Sequence, residues 1–427
     1  MMKSSIGWHT FTISKRLSAR DENSLDSDFI GYMRKTDLIK MLDKGKTGKL
    51  FVTEYVYKNV TGIEWKLLNI DVGKNFRRYY VKVKITPKVL LNKDYISIAN
   101  ASDIEKIKAA FNNEADKIST IAEGFDLYSM NRCDYCANFY LDELKIPCTS
   151  KQMMKLLKRA DIPKIFTEWK KYDPASHRKK SGEDSFYLKN KSVNVNCYDK
   201  YAQLMNDPNH RCQNKEDAEN LIRFEVQCKY LKLYAMSKNQ MQVETDTESS
   251  IPQFSSELEM EAFYNDPLHF HKVTLPIANF LSDTISVEVI DKYFRRIVRS
   301  GDYYTLAKAK HIIETSDYSH KKKEKLIKIL DATNKCRGIY KARLSPMGKE
   351  LSDFNLLLHD LDRLGINPVT IPREWGIEHI PNLLNAYYDK CAEVQDEETL
   401  QGLMERFAEQ NKKGEKFKKK HVFPSLR

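Results

Sequence analysis

Three segments of the sequence place residues that can cleave a phosphodiester on one side of an alternating strand pattern. The residues are two acids and a phenol: Asp134 in RCDYCANF, Glu225 in LIRFEVQCKY and Tyr198 in KSVNVNCYDK. A strand points alternate side chains to opposite faces, and in each segment the other face is apolar. If the three strands are neighbours in one antiparallel sheet, a single polar face collects all three residues.

The chemistry expected of that face is attack on a phosphodiester. We predict that Asp134 and Glu225 hold a hard divalent cation, Mg²⁺ or Mn²⁺, which polarises the phosphate. A phenol with a pKa near ~10 is a weak nucleophile at neutral pH, so Lys200 or the metal has to lower the pKa of Tyr198 or neutralise the transition state. Attack then yields a 5′-phosphotyrosine and a free 3′-hydroxyl.

Basic residues accompany these groups. Arg223 and Lys229 share the polar side of the Glu225 strand, and Lys82 and Lys84 alternate with apolar residues in RRYYVKVKIT. We predict that all four contact phosphates of a nucleic acid. The alternative is that each polar face is only a solvated surface, since the sequence does not show that the strands are adjacent.

Other residues compete for the same roles. Tyr201 lies three residues after Tyr198 and is an alternative nucleophile, although it points away if the strand continues. His269 and His271 form a His-hydrophobic-His triplet, would share one face of a strand, and are alternative metal ligands. His9 is a weaker candidate of the same kind.

The cysteines predict no metal site. Cys133 and Cys136 form a C-x-x-C, but a second close pair is missing, and a strand would point the two thiols to opposite faces. The eight cysteines are scattered, as expected for reduced thiols in a cytosolic protein.

The elements that position these residues predict an α+β fold. We expect an antiparallel sheet flanked by helices as the catalytic domain over residues 1–236, followed by a polar linker at 237–258. A mainly helical C-terminal domain is expected over 259–410, with a basic tail at 411–427. Helices between 287 and 364 could form a winged or helix-turn-helix reader of DNA.

The element pattern is clearest in the N-terminal half. Further strands are predicted at 49–59, 63–70, 77–86 and 130–141, and helices at 101–123 and 149–159. Thr305 and Ser352 have the types and positions of helix caps, and Gly365 marks a helix end.

Composition favours a globular chain with a polyanionic partner. The 427 residues are 41% hydrophobic and 30% charged, and their net charge is +12, which suits nucleic acid. No apolar run has the length of a membrane helix, and the N-terminus lacks the apolar core of a secretory signal. We therefore predict a cytoplasmic protein without a membrane partner.

Several segments together resemble the gene-two replication proteins of filamentous phages and the related initiators of rolling-circle plasmids. Their order and spacing match that family, and they cover the chain from about residue 49 to 385. The matching segments are YYVKVKITPKVLL at 79–91, MNRCDYCANFYL at 130–141, SFYLKNKSVNVNCYDKYAQL at 185–204, LIRFEVQCKYLKLY at 221–234 and DFNLLLHDLDRLGINPVTIPREW at 353–375.

This resemblance implies a nicking enzyme that cuts one strand at a DNA origin. The family's tyrosine falls on Tyr198, its acids on Asp134 and Glu225, and its lysine two residues past the tyrosine on Lys200. The partners implied are origin DNA, single-stranded or locally melted, with a host polymerase and helicase that extend the 3′ end before the strand is rejoined. Filamentous-phage relatives have an acid where this chain has Lys82, which puts a third carboxylate ligand in doubt.

Two rival functions remain open at this point. A relaxase of a mobile element performs the same chemistry at a transfer origin. A non-catalytic DNA-binding regulator would use the sheet face only for binding, and covalent capture of nicked DNA separates it from the other two.

Overall fold

The computed structural model describes most of the chain. The described residues are 2–41, 50–71, 77–168, 171–173, 178–180, 182–206, 214–241, 274–351 and 353–394. The two histidines His269 and His271, the cap residue Ser352 and the basic tail lie outside them.

A ten-stranded antiparallel sheet dominates the described part. Its strands are β1 (Ser5–Leu17), β2 (Leu38–Met41), β3 (Leu50–Tyr57), β4 (Ile63–Asp71), β5 (Arg77–Ile85), β6 (Ser129–Tyr140), β7 (Thr167–Glu168), β10 (Ser185–Lys189), β11 (Val193–Asp199) and β12 (Leu221–Lys229). Their order in the sheet is β2-β3-β4-β5-β1-β6-β12-β11-β10-β7. Two short ribbons pair β8 (Lys171–Asp173) with β9 (Arg178–Lys180) and β13 (Tyr303–Tyr304) with β14 (His379–Ile380).

Helices lie between the strands of the sheet and after them. Those among the strands are α1 (Ala19–Met33), α2 (Pro87–Leu90), α3 (Ile104–Ile118), α4 (Ser150–Leu157), α5 (Lys200–Met205) and α6 (Tyr230–Met241). Those after residue 274 are α7 (Asp283–Ile297), α8 (Leu306–Thr315), α9 (His320–Cys336), α10 (Ile339–Leu344), α11 (Pro346–Lys349), α12 (Phe354–Arg363) and α13 (Leu383–Val394). Short 3₁₀ turns occur at Ala101–Asp103, Thr120–Ala122, Phe125–Leu127, Lys215–Ala218, Ile277–Asn279 and Arg373–Trp375.

Local chemistry explains where these elements begin and end. β3 and β4 form the predicted hairpin, and Gly62 at its turn has φ +84°, a conformation that favours glycine. Thr149 caps α4 in a reciprocal capping box, and Thr305 caps α8. Gly365 follows α12 with φ +70°, as the sequence predicts.

The apolar face of the sheet forms the core under the candidate site. Phe139 of β6 and Phe224 of β12 both pack against Phe294 of α7, with ring centroids 5.7 and 5.1 Å apart. Tyr387 of α13 contacts Phe139 from the same side, at 6.2 Å. The C-terminal helices therefore cover the apolar face of these strands. The site residues lie on the opposite, polar face of the same strands.

The other half of the sheet has its own helical cover. Phe29 of α1 stacks on Tyr55 of β3 at 4.3 Å, and Trp65 of β4 packs on Phe111 of α3 at 5.5 Å. Helices thus line the apolar face along its length, which confirms the predicted α+β class.

The junction between the predicted domains differs in detail from the sequence pattern. α6 runs to Met241, four residues past the predicted linker start at 237, because YLKLYAMSKNQM continues as a helix after β12. Residues 242–273 lie outside the described part, so the linker and the division into domains stay predictions. Among the described helices, none is both long and apolar enough to cross a membrane.

Candidate nucleic-acid cleavage site

The three predicted strands are neighbours in the sheet, as β6, β12 and β11. Tyr198 pairs with Arg223 across the β11–β12 ladder, and Arg223 pairs in turn with Asn138 of β6. Glu225 lies one rung further along the same face of β12. The adjacency that the sequence could not establish is therefore present, and the residues share one polar face.

Tyr198 is a buried polar group on this face. Its side chain is 7% exposed, and its hydroxyl donates a hydrogen bond to Glu225 Oε1 at 2.5 Å. Burial and the Glu225 carboxylate raise the pKa of Tyr198 well above its usual value, while the Arg223 guanidinium opposes that rise. The phenol is therefore protonated at neutral pH and faces a carboxylate that can accept its proton.

Asp134 lies diagonally across from Glu225. It pairs with Gln227, whereas Glu225 pairs with Cys136 on the neighbouring rung. Arg132 grips Asp134 at two points, with Nε 2.8 Å from Oδ1 and an Nη 2.5 Å from Oδ2. Burial raises the pKa of Asp134 to about 6, with Arg132 lowering it and Glu225 raising it further.

These acids do not form a ready metal centre. Across the residues that the structure describes, no group of three or more histidine, cysteine or acidic side chains is arranged to hold an ion. Both carboxylates already have hydrogen-bond partners: Arg132 donates to Asp134, and the Tyr198 hydroxyl donates to Glu225. The donor set as folded does not fit Mg²⁺ or Mn²⁺, which prefer several free oxygen ligands.

Lys200 reaches the site from a helix, where the sequence pattern placed it on a strand. β11 ends at Asp199, whose carboxylate caps α5 by accepting from the Ala202 N–H at 3.1 Å. The Lys200 side chain is 2% exposed and donates to Gln203 Oε1 at 2.8 Å. Burial and the nearby Arg223 and Lys88 charges lower the pKa of Lys200 to about 6, despite the opposing effect of Glu225.

Arg223 was predicted to contact DNA from the polar face, and the structure places it at the centre of the site with no exposure. Its Nε donates to Asn138 Oδ1 at 2.7 Å, and one Nη donates to the carbonyl oxygen of Ile96. The guanidinium is thus fixed beside Tyr198 by its bonds to β6 and to the loop before α3.

The other predicted phosphate contacts line the same face further from Tyr198. Lys84 pairs with Thr12, which pairs with Arg132, which pairs with Lys229, so a row crosses four strands. Lys84 forms an ion pair with Glu64 at 2.7 Å.

Lys229 of this row and the neighbouring Lys82 both have environments that affect how readily they can bind a ligand. Lys229 donates to the Asn190 carbonyl at 3.0 Å. Lys82 lies on the next rung of β5, opposite Ser14, and burial together with Lys66 and Arg132 lowers its pKa. All four predicted basic residues therefore share the site face, with Arg223 deepest.

Tyr201 occupies a different environment from Tyr198. It lies in the first turn of α5 and packs against a small apolar cluster that contains Ile96, Leu204 and Leu221. The sequence pattern favours Tyr198 because a strand continuing to Tyr201 would point that side chain away from the polar face. The strand in fact ends at Asp199, so this reason does not extend to Tyr201.

Two residues at the site were either missed in the sequence or ranked there as weaker candidates. Lys88 sits in α2, just after β5, and is 4% exposed. His9 lies where β1 shifts register between Trp8 and Thr10, and its Nδ1 is 2.9 Å from the Thr10 hydroxyl oxygen. Burial and the charges of Lys88, Arg223, Lys200 and Arg132 hold its pKa well below the usual value.

The remaining candidates divide between the described and undescribed parts. Cys133 and Cys136 are buried free thiols on opposite faces of β6, as the strand pattern predicts. His269 and His271 lie outside the described residues, so their role as alternative ligands stays a prediction.

The chain matches no protein-family model, and no curated protein matches its sequence. Among solved structures it is similar to a rolling circle replication initiator protein from Geobacillus stearothermophilus, with a TM-score of 0.27 and 11% sequence identity. That similarity covers 56% of this chain and 79% of the other. A similarity of this size leaves the function to be argued from the residues of the site.

Proposed function

We propose that this chain is a rolling-circle replication initiator of the gene-two-like kind, which nicks one strand of origin DNA through Tyr198. The observation that carries the proposal is the 2.5 Å hydrogen bond from the Tyr198 hydroxyl to Glu225, beside the buried guanidinium of Arg223. A nucleophile within hydrogen-bond reach of a base, with cations at hand for developing charge, is the arrangement that phosphoryl transfer to a side chain requires.

The reaction can be written with the groups present. The Tyr198 oxygen attacks phosphorus while its proton passes to Glu225 Oε1. The bond from phosphorus to the 3′ oxygen breaks, and that oxygen leaves with the electron pair and takes a proton from water. The products are a 5′-phosphotyrosine and a free 3′-hydroxyl, and the reverse reaction, with a 3′-hydroxyl as nucleophile, rejoins a strand.

Because burial raises the pKa of Tyr198, the free phenolate is rare, and attack depends on proton transfer during the reaction. Glu225 is positioned for that transfer. Arg223 and Lys200 lie on either side of the phenol: Arg223 is its ladder partner, and Lys200 Nζ is 5.9 Å from the ring centroid. The charge of Arg223 stabilises the negative charge that builds up on the phosphate oxygens, and Lys200 adds to this when the phosphate raises its pKa and it takes up a proton.

The metal prediction, Mg²⁺ or Mn²⁺ at Asp134 and Glu225, stays a prediction. To ligate an ion, Asp134 would have to exchange its two-point contact with Arg132 for the metal. Cleavage measured with EDTA and with added Mg²⁺ or Mn²⁺ tests it; the prediction requires activity to vanish with EDTA and return with either ion.

Recognition of the origin is assigned to the helices after residue 274. α8 and α9 are joined by the four residues 316–319, a helix–turn–helix connection, and α9 begins with HKKKEK. Host polymerase and helicase are the proposed partners at the 3′ end. Because α7 covers the apolar face of β6 and β12, removing the C-terminal part would expose that face, so the full chain is the correct material for tests.

The decisive experiment is capture of a covalent adduct. The full chain is incubated with a random-sequence pool of single-stranded DNA, and SDS-resistant protein–DNA adducts are isolated and sequenced. We expect adducts enriched in one sequence, none with Tyr198→Phe, and wild-type adducts with the matched control Tyr201→Phe.

Other outcomes point elsewhere. Adducts that disappear in Tyr201→Phe and persist in Tyr198→Phe would contradict the nucleophile assignment. Specific duplex binding with no adduct under any metal condition would favour the non-catalytic regulator. A relaxase shares the chemistry and is distinguished by its target sequence, which the captured DNA reports.

A further inference from the structure

The segment that follows β5 brings a buried lysine over the site. α2 begins at Pro87, and Lys88 in its first turn is 4% exposed. Its Nζ donates to the Tyr95 carbonyl at 2.6 Å and lies 3.6 Å from the Tyr95 ring centroid. Lys200 Nζ lies 4.9 Å from the same centroid. Both buried lysine amino groups therefore lie against the same aromatic ring.

Arg223 adds a third cation with an unused donor. Its Nε and one Nη are bonded to Asn138 and Ile96, but Nη1 is buried and has no hydrogen-bond partner in the described part of the chain. Buried donors are nearly always satisfied, so an orphaned guanidinium nitrogen at the centre of a polar site indicates that a ligand supplies its acceptor.

The three basic side chains are enclosed together. Lys88, Lys200 and Arg223 are at most 4% exposed, and the charges of Arg223 and Lys88 both act on Lys200. Enclosing like charges together is unfavourable, and an anion bound among them reduces that cost. Burial and the other two cations lower the pKa of Lys200, which is the strain that an anion would relieve.

We propose that Lys88, Lys200 and Arg223 form a buried anion site that binds the non-bridging oxygens of a phosphodiester beside Tyr198, with Lys88 as a binding residue that no sequence pattern marked. The choice of DNA as the source of that phosphate rests on the proposed function. The anion site itself follows from the cluster and would bind inorganic phosphate as well. Arg223 presents Nη1 and the two lysines present ammonium groups, so three donors meet one phosphate.

The first test uses inorganic phosphate and the full chain. Thermal unfolding is followed at constant ionic strength while phosphate replaces chloride. We expect a saturable rise in Tm for the wild type and for Lys88→Arg, and no saturable rise for Lys88→Met. The matched control is Lys106→Met, an exposed lysine on α3, which should behave as wild type. A rise in Lys88→Met equal to that of the wild type overturns the proposal.

A second measurement keeps the proposal testable if Lys88→Met does not fold. Wild-type chain is treated briefly with acetic anhydride, with and without phosphate, and acetylation is read at each lysine by mass spectrometry. Phosphate should slow acetylation of Lys88 and Lys200 and leave Lys106 unchanged. Equal acetylation of Lys88 in both samples overturns the proposal.

The DNA arm separates this inference from the proposed function. Binding of a ten-residue oligothymidylate is measured by fluorescence anisotropy, and Lys88→Met should weaken it about tenfold, the loss of one good phosphate contact. Phosphate protection without covalent adducts would leave the anion site in place and remove the nicking function. Adducts at wild-type rate in Lys88→Met, with no phosphate effect, would do the reverse.

Discussion

Positive charge is concentrated in two regions of the chain, and it is buried in one and exposed to solvent in the other. At the polar face of the sheet, Lys88, Lys200 and Arg223 are enclosed to 4% exposure or less. On α9, Lys321 and Lys328 are exposed to solvent. A buried charged side chain loses its hydration free energy, and another interaction has to offset that loss. A charged side chain on an exposed helix stays hydrated and is screened by salt.

The difference assigns the two regions different tasks. The buried cations lie beside a tyrosine that donates to a carboxylate, and under the proposed function they act on a single phosphate. On α9, Lys322 and Lys325 pair with Asp360 and Asp353, whereas Lys321 and Lys328 are exposed. Under the same proposal the exposed pair acts through its attraction for a DNA backbone. Substitutions on the sheet should therefore change rates and stability, and those on α9 should change affinity and its salt dependence.

The largest expected effect comes from Glu225→Gln. The amide keeps the size and an acceptor for the Tyr198 hydroxyl but does not take its proton, so the rate of adduct formation should fall by about 10²- to 10⁴-fold. The matched control is Glu64→Gln, an acid on the same sheet that pairs with Lys84. Rates are read from gel quantification of adducts in single-turnover reactions. Equal rates in Glu225→Gln and Glu64→Gln would remove Glu225 from the chemistry.

A second prediction concerns pH and stability. The pKa of Lys200 is lowered from 10.5 to about 6 in the folded chain, so between those values the unfolded state holds a proton that the folded state lacks. Lys200 therefore makes the free energy of unfolding increase as pH rises from about 6 towards 10.5, and the contribution is lost as pH falls through that window.

Lys200→Met should remove this contribution. Urea unfolding across that range should give a curve for Lys200→Met that rises less with pH than the wild-type curve, and Lys106→Met, with its lysine exposed, should follow the wild type. Parallel wild-type and Lys200→Met curves would show that the ammonium is as well solvated as those of α9.

The smallest effect is expected on α9. Replacing Lys321 and Lys328 together by Gln should weaken duplex binding and reduce the slope of log affinity against log salt by about two, roughly one per phosphate contact. Adduct formation on single-stranded DNA should not change. Titrations at several salt concentrations measure the slope, with Lys106→Gln as the exposed control. A slope unaffected by the double substitution would mean that α9 does not meet the DNA backbone.

The alternation of side chains allowed much of the site to be predicted. In RCDYCANF, KSVNVNCYDK and LIRFEVQCKY it separates an apolar face from a polar one, because consecutive strand residues point to opposite sides. Turn and cap residues such as Gly62, Thr149 and Thr305 also identify element ends locally. These features depend on neighbours within a few positions, which a sequence displays directly.

Residues brought in from outside a strand could not be predicted in this way. Lys88 follows β5 by three residues and looks like an ordinary surface lysine, yet the turn at Pro87 carries it over a strand more than a hundred positions away. His9 lies at the site because the register of β1 shifts between Trp8 and Thr10, and no residue type in the sequence predicts that shift. Arg132 pairs with Asp134 on its own strand, and that pairing decides how free the acid is to bind a metal.

The sequence by itself determined which side chains of each strand lie on the polar face, since strand geometry is local. Only the tertiary structure decided that β11, β12 and β6 lie side by side, that Tyr198 donates to Glu225, and that Lys88 and Arg223 enclose the same point. Strand order and burial depend on contacts between distant segments and on the helices that cover the other face. The same side chain can therefore be a solvated charge or a reactive one, and its neighbours in space make the difference.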